Sequence, residues 1–281
     1  MKTSLKLALV LLFLCTPSAR AASLIYLYRA YDAKTGLEVA RGDVPDAKQT
    51  APLALIGPGS TLKPFLLSVA LAGGLDPNRT LTCPKSRIEI SPDKRCWLAE
   101  GHGPVNLVQA LAQSCTTYAR HACSFVDADR YRDLLIKFVL GTRLPDRDAF
   151  RAAGPEAWIG NKSVFLVTPE ELALAYNAAF GTGKLHGQSL PSLPGRDLLL
   201  QGLRECCLTG TGKAVRESAP LLDVIGKTGT SKISTGAPCG LFIALAPANQ
   251  PRIAFVLVVL NASGAEAAAL AGKTLPNILS R

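Results

Sequence analysis

Bulky apolar runs stand at the two ends of the chain, and helical patterns fill its middle. Leu24 to Tyr31 is rich in tyrosine and branched residues, as a strand is. After the turn Asp32-Ala33-Lys34-Thr35-Gly36, Leu37 to Arg41 follows as a second strand, so an opening antiparallel hairpin is predicted. Gly57-Pro58-Gly59 then breaks the chain, and the apolar segment Ser60 to Leu71 has helical character. Asn106 followed by Leu107-Val108-Gln109 has the form of a capping box, for a helix running towards Ser114. Asp129 to Leu140 is amphipathic, with Gly141 read as its C-cap. Thr168-Pro169-Glu170-Glu171 combines a cap, a proline in first position and a glutamate at the third, and predicts a helix through Ala179. Leu198 to Cys207 is read as a further helix capped by Asp197. Leu222 to Ile225, Gly240 to Ala246 and Ile253 to Leu260 then read as strands, and Ser263 with Glu266 caps a closing helix. This order predicts an α+β fold. Both chain ends form an antiparallel sheet flanked by helices, with a large helical insertion from about residue 60 to 215.

Residues 1–21 carry a pattern of their own. Lys2 and Lys6 precede a short apolar run, Leu7 to Cys15, and Ala19-Arg20-Ala21 fits a small-x-small cleavage site. A signal peptide over 1–21 is expected, with a single mature domain over 22–281 outside the cytoplasm, in the periplasm or on the outer face of the cytoplasmic membrane. The apolar run is short of the roughly 20 residues that cross a bilayer, so no membrane span is expected after cleavage. An uncleaved anchor is the competing reading.

Hydrophobic residues make up 48% of the 281 and charged residues 19%, which excludes a disordered, solvating chain. The formal charge of +10 falls to +7 when Lys2, Lys6 and Arg20 leave with the leader. The basic residues are scattered and lack interleaved aromatics, which argues against nucleic acid. A basic exported protein meets anionic envelope polymers instead. Seven of the eight cysteines remain after cleavage. Cys83 and Cys96 flank a hairpin-like segment, Pro84 to Arg95, and are the expected disulfide. Cys115, Cys123, Cys206, Cys207 and Cys239 are not paired by spacing. No CxxC or HxxxH spacing occurs, and His102, His121 and His186 lie far apart, so neither a metal site nor a cofactor is expected.

Three short motifs carry candidate chemistry. In Ser60-Thr61-Leu62-Lys63 the helical spacing puts Lys63 on the face of Ser60. A serine hydroxyl needs a nearby base to act as a nucleophile, and a lysine serves once burial or a second cation lowers its pKa. At a helix start, the Ser60 backbone N–H is also placed for an oxyanion. In Lys227-Thr228-Gly229-Thr230, strand alternation points Lys227 and Gly229 one way and Thr228 and Thr230 the other. A lysine with two hydroxyls is a carboxylate-binding set, and the glycine admits a substrate backbone. Ser114-Cys115-Thr116, just after a helix, offers a hydroxyl to pass a proton between Lys63, Lys227 and a leaving amine. Each motif alone also reads as an ordinary helix cap or strand-end turn.

Together and in this order the motifs resemble the active site of penicillin-recognising serine enzymes, in which Ser-x-x-Lys, Ser-Asp-Asn and Lys-Thr-Gly recur. The resemblance to the transpeptidase domain of penicillin-binding proteins extends over most of the mature chain. It includes the opening hairpin turn, Cys96-Trp97 through Gly101-His102-Gly103, Val167 to Ala173, Gly210 to Ala214 and Phe242 to Pro247. It implies that Ser60 attacks a D-Ala–D-Ala peptide bond and is acylated. Lys63 is then the base, and Ser114 relays a proton. Lys227, Thr228 and Thr230 orient the terminal carboxylate. Gly229 and Thr116 also line the substrate, and the N–H groups of Ser60 and Thr230 form the oxyanion hole. Peptidoglycan stem peptides and β-lactams are the implied ligands; protein partners are not indicated. The acyl group passes to an amine, as in a transpeptidase, or to water, as in a carboxypeptidase.

One departure stands out: the second motif ends in Thr116 where the family has Asn, whose amide both donates and accepts at longer reach. Two other readings compete. A β-lactamase of the same fold needs a deacylating Glu-x-x-Leu-Asn loop, or Tyr-Gly-Asn with Ser-x-Val as its second motif; the first two do not occur, and the second motif here is Ser114-Cys115-Thr116. A catalytically weak penicillin-binding sensor would suit Thr116 but not the retention of Ser60, Lys63 and Lys227.

Overall fold

The computed structural model describes residues 24–85 and 95–281. The leader and most of the segment between Cys83 and Cys96 lie outside the described residues. In chain order the elements are β1 (Tyr26–Asp32), β2 (Glu38–Val44), α1 (Ala47–Thr50), α2 (Lys63–Ala72), β3 (Leu81–Cys83), β4 (Gly103–Val105), α3 (Leu107–Ala112), α4 (Thr116–Ala122), α5 (Ala128–Lys137), α6 (Arg147–Trp158) and α7 (Pro169–Phe180). They continue with β5 (Lys184–Leu185), β6 (Gln188–Ser189), α8 (Arg196–Leu208), α9 (Ala214–Ser218), β7 (Ile225–Lys232), β8 (Pro238–Ala246), β9 (Ile253–Leu260) and α10 (Gly264–Leu279).

The main sheet runs β2-β1-β9-β8-β7, antiparallel throughout, so the two chain ends do build one sheet. Alternation sorts its side chains. Ile225, Leu241, Ile243, Val256 and Val258 face the helical insertion. Phe242, Phe255, Leu257 and Val259 face α10, where Ala267, Ala268, Ala271 and Leu275 let the helix lie close. Each large side chain so buried contributes about 1.5–3 kcal/mol relative to exposure. On the other side α2 lies at the centre of the insertion, buried along Lys63 to Ala70. Its sequence is apolar all round, as a fully enclosed helix requires. Phe65 packs on Phe138, Tyr176 and Phe180 there.

The capping boxes at Asn106/Gln109, Thr168/Glu171 and Ser263/Glu266 are all formed. Several boundaries differ from expectation. α5 is capped by Asp127 and ends at Lys137, because Val139 takes a left-handed φ of 53° before Gly141 is reached. α8 starts after Gly195, itself left-handed, so Asp197 lies within the first turn rather than capping it. The strand expected at Leu222 begins at Ile225 and carries the whole Lys-Thr-Gly motif. Cys83 and Cys96 are free thiols, so the expected disulfide is not formed.

Candidate active site

Gly59 to Leu62 form a single turn of 3-10 helix that leads directly into α2. Ser60 therefore sits on the turn and Lys63 at the first position of the α-helix. The turn is wedged between two backbones. A Cβ on Gly59 (φ 55°) would meet the Thr230 carbonyl oxygen at 2.8 Å, and one on Gly160 would meet the Gly59 oxygen at 2.0 Å. Gly57 N–H donates to the Lys232 carbonyl (2.8 Å), and Tyr176 Oη donates to the Thr61 carbonyl (2.7 Å). These bonds pin the turn to the end of β7 and to α7.

Lys63 is 1% exposed. Its Nζ donates to the Ser114 carbonyl (2.7 Å) and lies 3.3 Å from Ser114 Oγ and 3.4 Å from Thr116 Oγ1. All three partners are neutral and leave most of the cost of burying the ammonium uncompensated. Burial first, and the nearby charge of Lys227 second, push its pKa down to about 7. Ser114 reaches these positions because it adopts φ 52° between α3 and α4.

Lys227 is also fully buried and donates to the Thr228 carbonyl (3.0 Å); burial lowers its pKa. It shares the face of Ile225 and Ile243, while Thr228 points the other way, with Oγ1 2.5 Å from Thr211 Oγ1. Thr230 Oγ1 accepts from Gly264 N–H at the start of α10 (3.3 Å). A Cβ on Gly229 would meet Thr61 Cγ2 at 3.0 Å and Leu241 at 3.2 Å. That glycine makes room for the serine turn rather than only for a ligand.

A cavity of about 600 Å³ lies against β7. Of the eight site residues expected from sequence, Ser60, Ser114, Thr116, Thr228, Gly229 and Thr230 line it, and Lys63 and Lys227 are buried behind its wall. Trp97, Asn161, Thr209 and Thr211 also line it without having been singled out as site residues. Thr211 lies within Gly210–Ala214, a stretch that resembles the family; Asn161 has no sequence signal of its own. Trp97 Nε1 donates to the Gln113 carbonyl (3.0 Å), which ties the ring to the end of α3. A second cavity of about 790 Å³ adjoins it and shares Trp97, Thr116, Asn161 and Thr230. Glu171 is held in its capping box and by Arg143, away from either cavity.

The family model for the penicillin binding protein transpeptidase domain matches residues 29–280. The chain belongs to this family. Its sequence is 25% identical over 276 residues to the peptidoglycan D,D-transpeptidase MrdA of Acinetobacter baumannii, covering 76% of this chain and 41% of that protein. The chain thus spans less than half the length of this relative. Solved structures share its fold. PBP2 of Pseudomonas aeruginosa in complex with WCK 5153 superposes with a TM-score of 0.71 at 21% identity, covering 92% of this chain and 73% of that one. The transpeptidase domain of Burkholderia pseudomallei penicillin-binding protein 3 gives 0.74 at 18% identity, over 92% and 88%. A Helicobacter pylori PBP2 in complex with MreC gives 0.73 at 21% identity, over 92% and 60%.

Proposed function

We propose that this chain is an exported serine D,D-transpeptidase that acts on peptidoglycan stem peptides through an acyl-enzyme on Ser60. The observation that carries this reading is Lys63, a buried amine with neutral partners beside the cavity that Ser60 lines. In its uncharged form Lys63 accepts the Ser60 proton as Oγ attacks the carbonyl of a D-Ala–D-Ala bond. The Ser114 hydroxyl, 3.3 Å from Lys63 Nζ, passes that proton to the departing D-Ala amine. Thr228 and Thr230 receive the terminal carboxylate, and Lys227 adds positive charge from behind the wall. The acyl group then leaves Ser60 for an acceptor amine, whose proton returns through Lys63.

Two adjoining cavities that share four lining residues give separate places for a donor and an acceptor peptide. That favours transfer to an amine over transfer to water. The commitment of Glu171 elsewhere leaves the β-lactamase reading without a deacylating base on that helix. β-Lactams are the proposed covalent inhibitors.

Labelling with a reporter penicillin tests the reading. The wild-type protein is expected to carry a stable label, and Ser60→Ala to carry none while keeping its circular dichroism. A label that persists in folded Ser60→Ala excludes this mechanism, and a label that the wild type sheds within its assay indicates a β-lactamase.

A further inference from the structure

Thr211 lines the cavity and takes no part in the acylation above. It follows α8 in the stretch Gly210-Thr211-Gly212, and backbone contacts fix its place. Its N–H donates to the Ala112 carbonyl at the end of α3 (3.1 Å). A Cβ on Gly210 would meet that same oxygen at 2.3 Å. One on Gly212 would meet Phe242 of β8 at 3.2 Å and Cys206 Sγ of α8 at 3.3 Å. The two glycines let the chain lie between these elements, which sets the Thr211 side chain against β7. Its Oγ1 is 2.5 Å from Thr228 Oγ1, against 3.4 Å to the Ala112 carbonyl and 3.5 Å to Cys206 Sγ. The short contact is the strong one. Between two hydroxyls it requires that one give its hydrogen to the other.

We propose that Thr211 is a positioning residue for the substrate carboxylate: it donates to Thr228 Oγ1 and so turns the Thr228 hydrogen into the cavity. The neighbouring hydroxyl is arranged in the same manner. Thr230 Oγ1 accepts from Gly264 N–H, which leaves its own hydrogen to be given to a ligand. Both hydroxyls are thus filled from behind by a donor, Thr230 by a backbone N–H and Thr228 by Thr211. A hydroxyl that already accepts a bond gives a stronger one in turn, because the members of such a chain polarise one another. The gain is largest when the final acceptor is charged. Thr211 therefore adds preference for a peptide that ends in a free carboxylate over one that ends in an ester or amide. This inference rests on the reading that Thr228 and Thr230 receive that carboxylate.

The test compares two probes on the full chain, a reporter penicillin with its free carboxylate and the methyl ester of the same compound. Thr211→Val removes the hydroxyl and keeps the branched shape. The ratio of acylation rates, acid over ester, is expected to fall about fivefold to tenfold, the worth of one net hydrogen bond. Thr211→Ser, which keeps the hydroxyl, is expected to hold the wild-type ratio. In a Thr228→Val background the loss of the Thr211 hydroxyl is expected to change the ratio by less than about twofold, because the group it serves is gone. Thr211→Ala is the second variant, for the case in which valine does not fold, and melting curves accompany each. A purely structural role would slow both probes together. An unchanged ratio in folded Thr211→Val or Thr211→Ala overturns the proposal, and so does a full loss in the Thr228→Val background. If the wild type takes no penicillin label, it is titrated by calorimetry with N-acetyl-D-Ala–D-Ala and with the C-terminal amide of that peptide. A preference for the acid that Thr211→Val reduces leaves the pair standing and removes the transpeptidase reading alone. Equal binding of acid and amide, or binding of neither, overturns the pair as well.

Discussion

A lysine 1% exposed and surrounded by neutral partners cannot keep its proton as it would in water. With the pKa of Lys63 near 7, the uncharged fraction, and with it the acylation rate, should rise about tenfold per pH unit below about pH 7 and level off above it. The linked stability effect has a definite sign. The folded value lies below the unfolded one, so the unfolded chain binds more protons between about pH 7 and 10.5, and stability rises with pH across that window. Below pH 7 the burial penalty is fully present. Stopped-flow acylation against pH checks the first expectation, and Lys63→Arg, which keeps its charge at any of these values, should acylate negligibly throughout. Thr116 calls for a second substitution. Its hydroxyl lies within reach of Lys63 and lines the cavity. An amide there keeps an acceptor for Lys63 and adds a donor for substrate. Thr116→Asn is expected to speed acylation a few-fold to about tenfold, the value of one net hydrogen bond of about 0.5–1.5 kcal/mol. Slower acylation in a folded variant identifies Thr116 as a contact adapted to a different substrate.

The serine turn is placed by backbone contact, and this sets the predictions at the level of elements. Gly160 has φ 82°, and its missing Cβ would lie 2.0 Å from the Gly59 oxygen. Gly183 has φ 73° with open space around it. Alanine at either position carries the left-handed strain of about 1–2 kcal/mol. Only Gly160→Ala must also push the turn that carries Ser60. Both variants should therefore melt earlier than wild type, but only Gly160→Ala should lose penicillin labelling. Equal labelling in the two variants would show that the turn tolerates displacement. Elements were legible in the sequence where a side chain answers its own neighbours. The boxes at Asn106, Thr168 and Ser263 formed because cap and partner lie within one turn. Boundaries set by left-handed residues were not, because Val139 is of a type that rarely takes that conformation and a left-handed glycine such as Gly195 ends helices more often than it precedes one. Gly59 and Gly160 are alike in this respect: a breaker and an ordinary glycine in sequence, one backbone contact in space.

At the scale of the whole molecule, the three motifs were legible because their spacing within each is local, and the sheet was legible at its centre because β8 and β9 are apolar runs. The convergence of Cys83, Cys96, His102 and Cys115, one ligand atom of each lying within 4.8 Å of the others, was not. Its members are separated by intervals that fit no compact ligand motif, and only the β3–β4 pairing and the cap of α4 bring them together. The same dependence on distant parts governs stability. β1 pairs with β9 from Tyr26 opposite Val259 to Asp32 opposite Ile253, so the sheet closes only when the last strands are in place. α10 then covers Phe242, Phe255, Leu257 and Val259, each at most 1% exposed. Exposing these four costs about 6–12 kcal/mol by their individual burial, comparable with the whole stability of about 5–15 kcal/mol of an ordinary domain. Gly264 also approaches β7 so closely that a Cβ would meet the Gly229 oxygen at 2.7 Å, and its N–H holds Thr230. A chain shortened to end before Gly264 is therefore expected to lose its cooperative thermal transition, to bind a hydrophobic dye and to take no penicillin label. Retention of a sharp transition by that shortened chain would place the stability in the helical insertion instead. Loss of label in a chain that still melted cooperatively would assign α10 the narrower task of holding β7 in register with the serine turn.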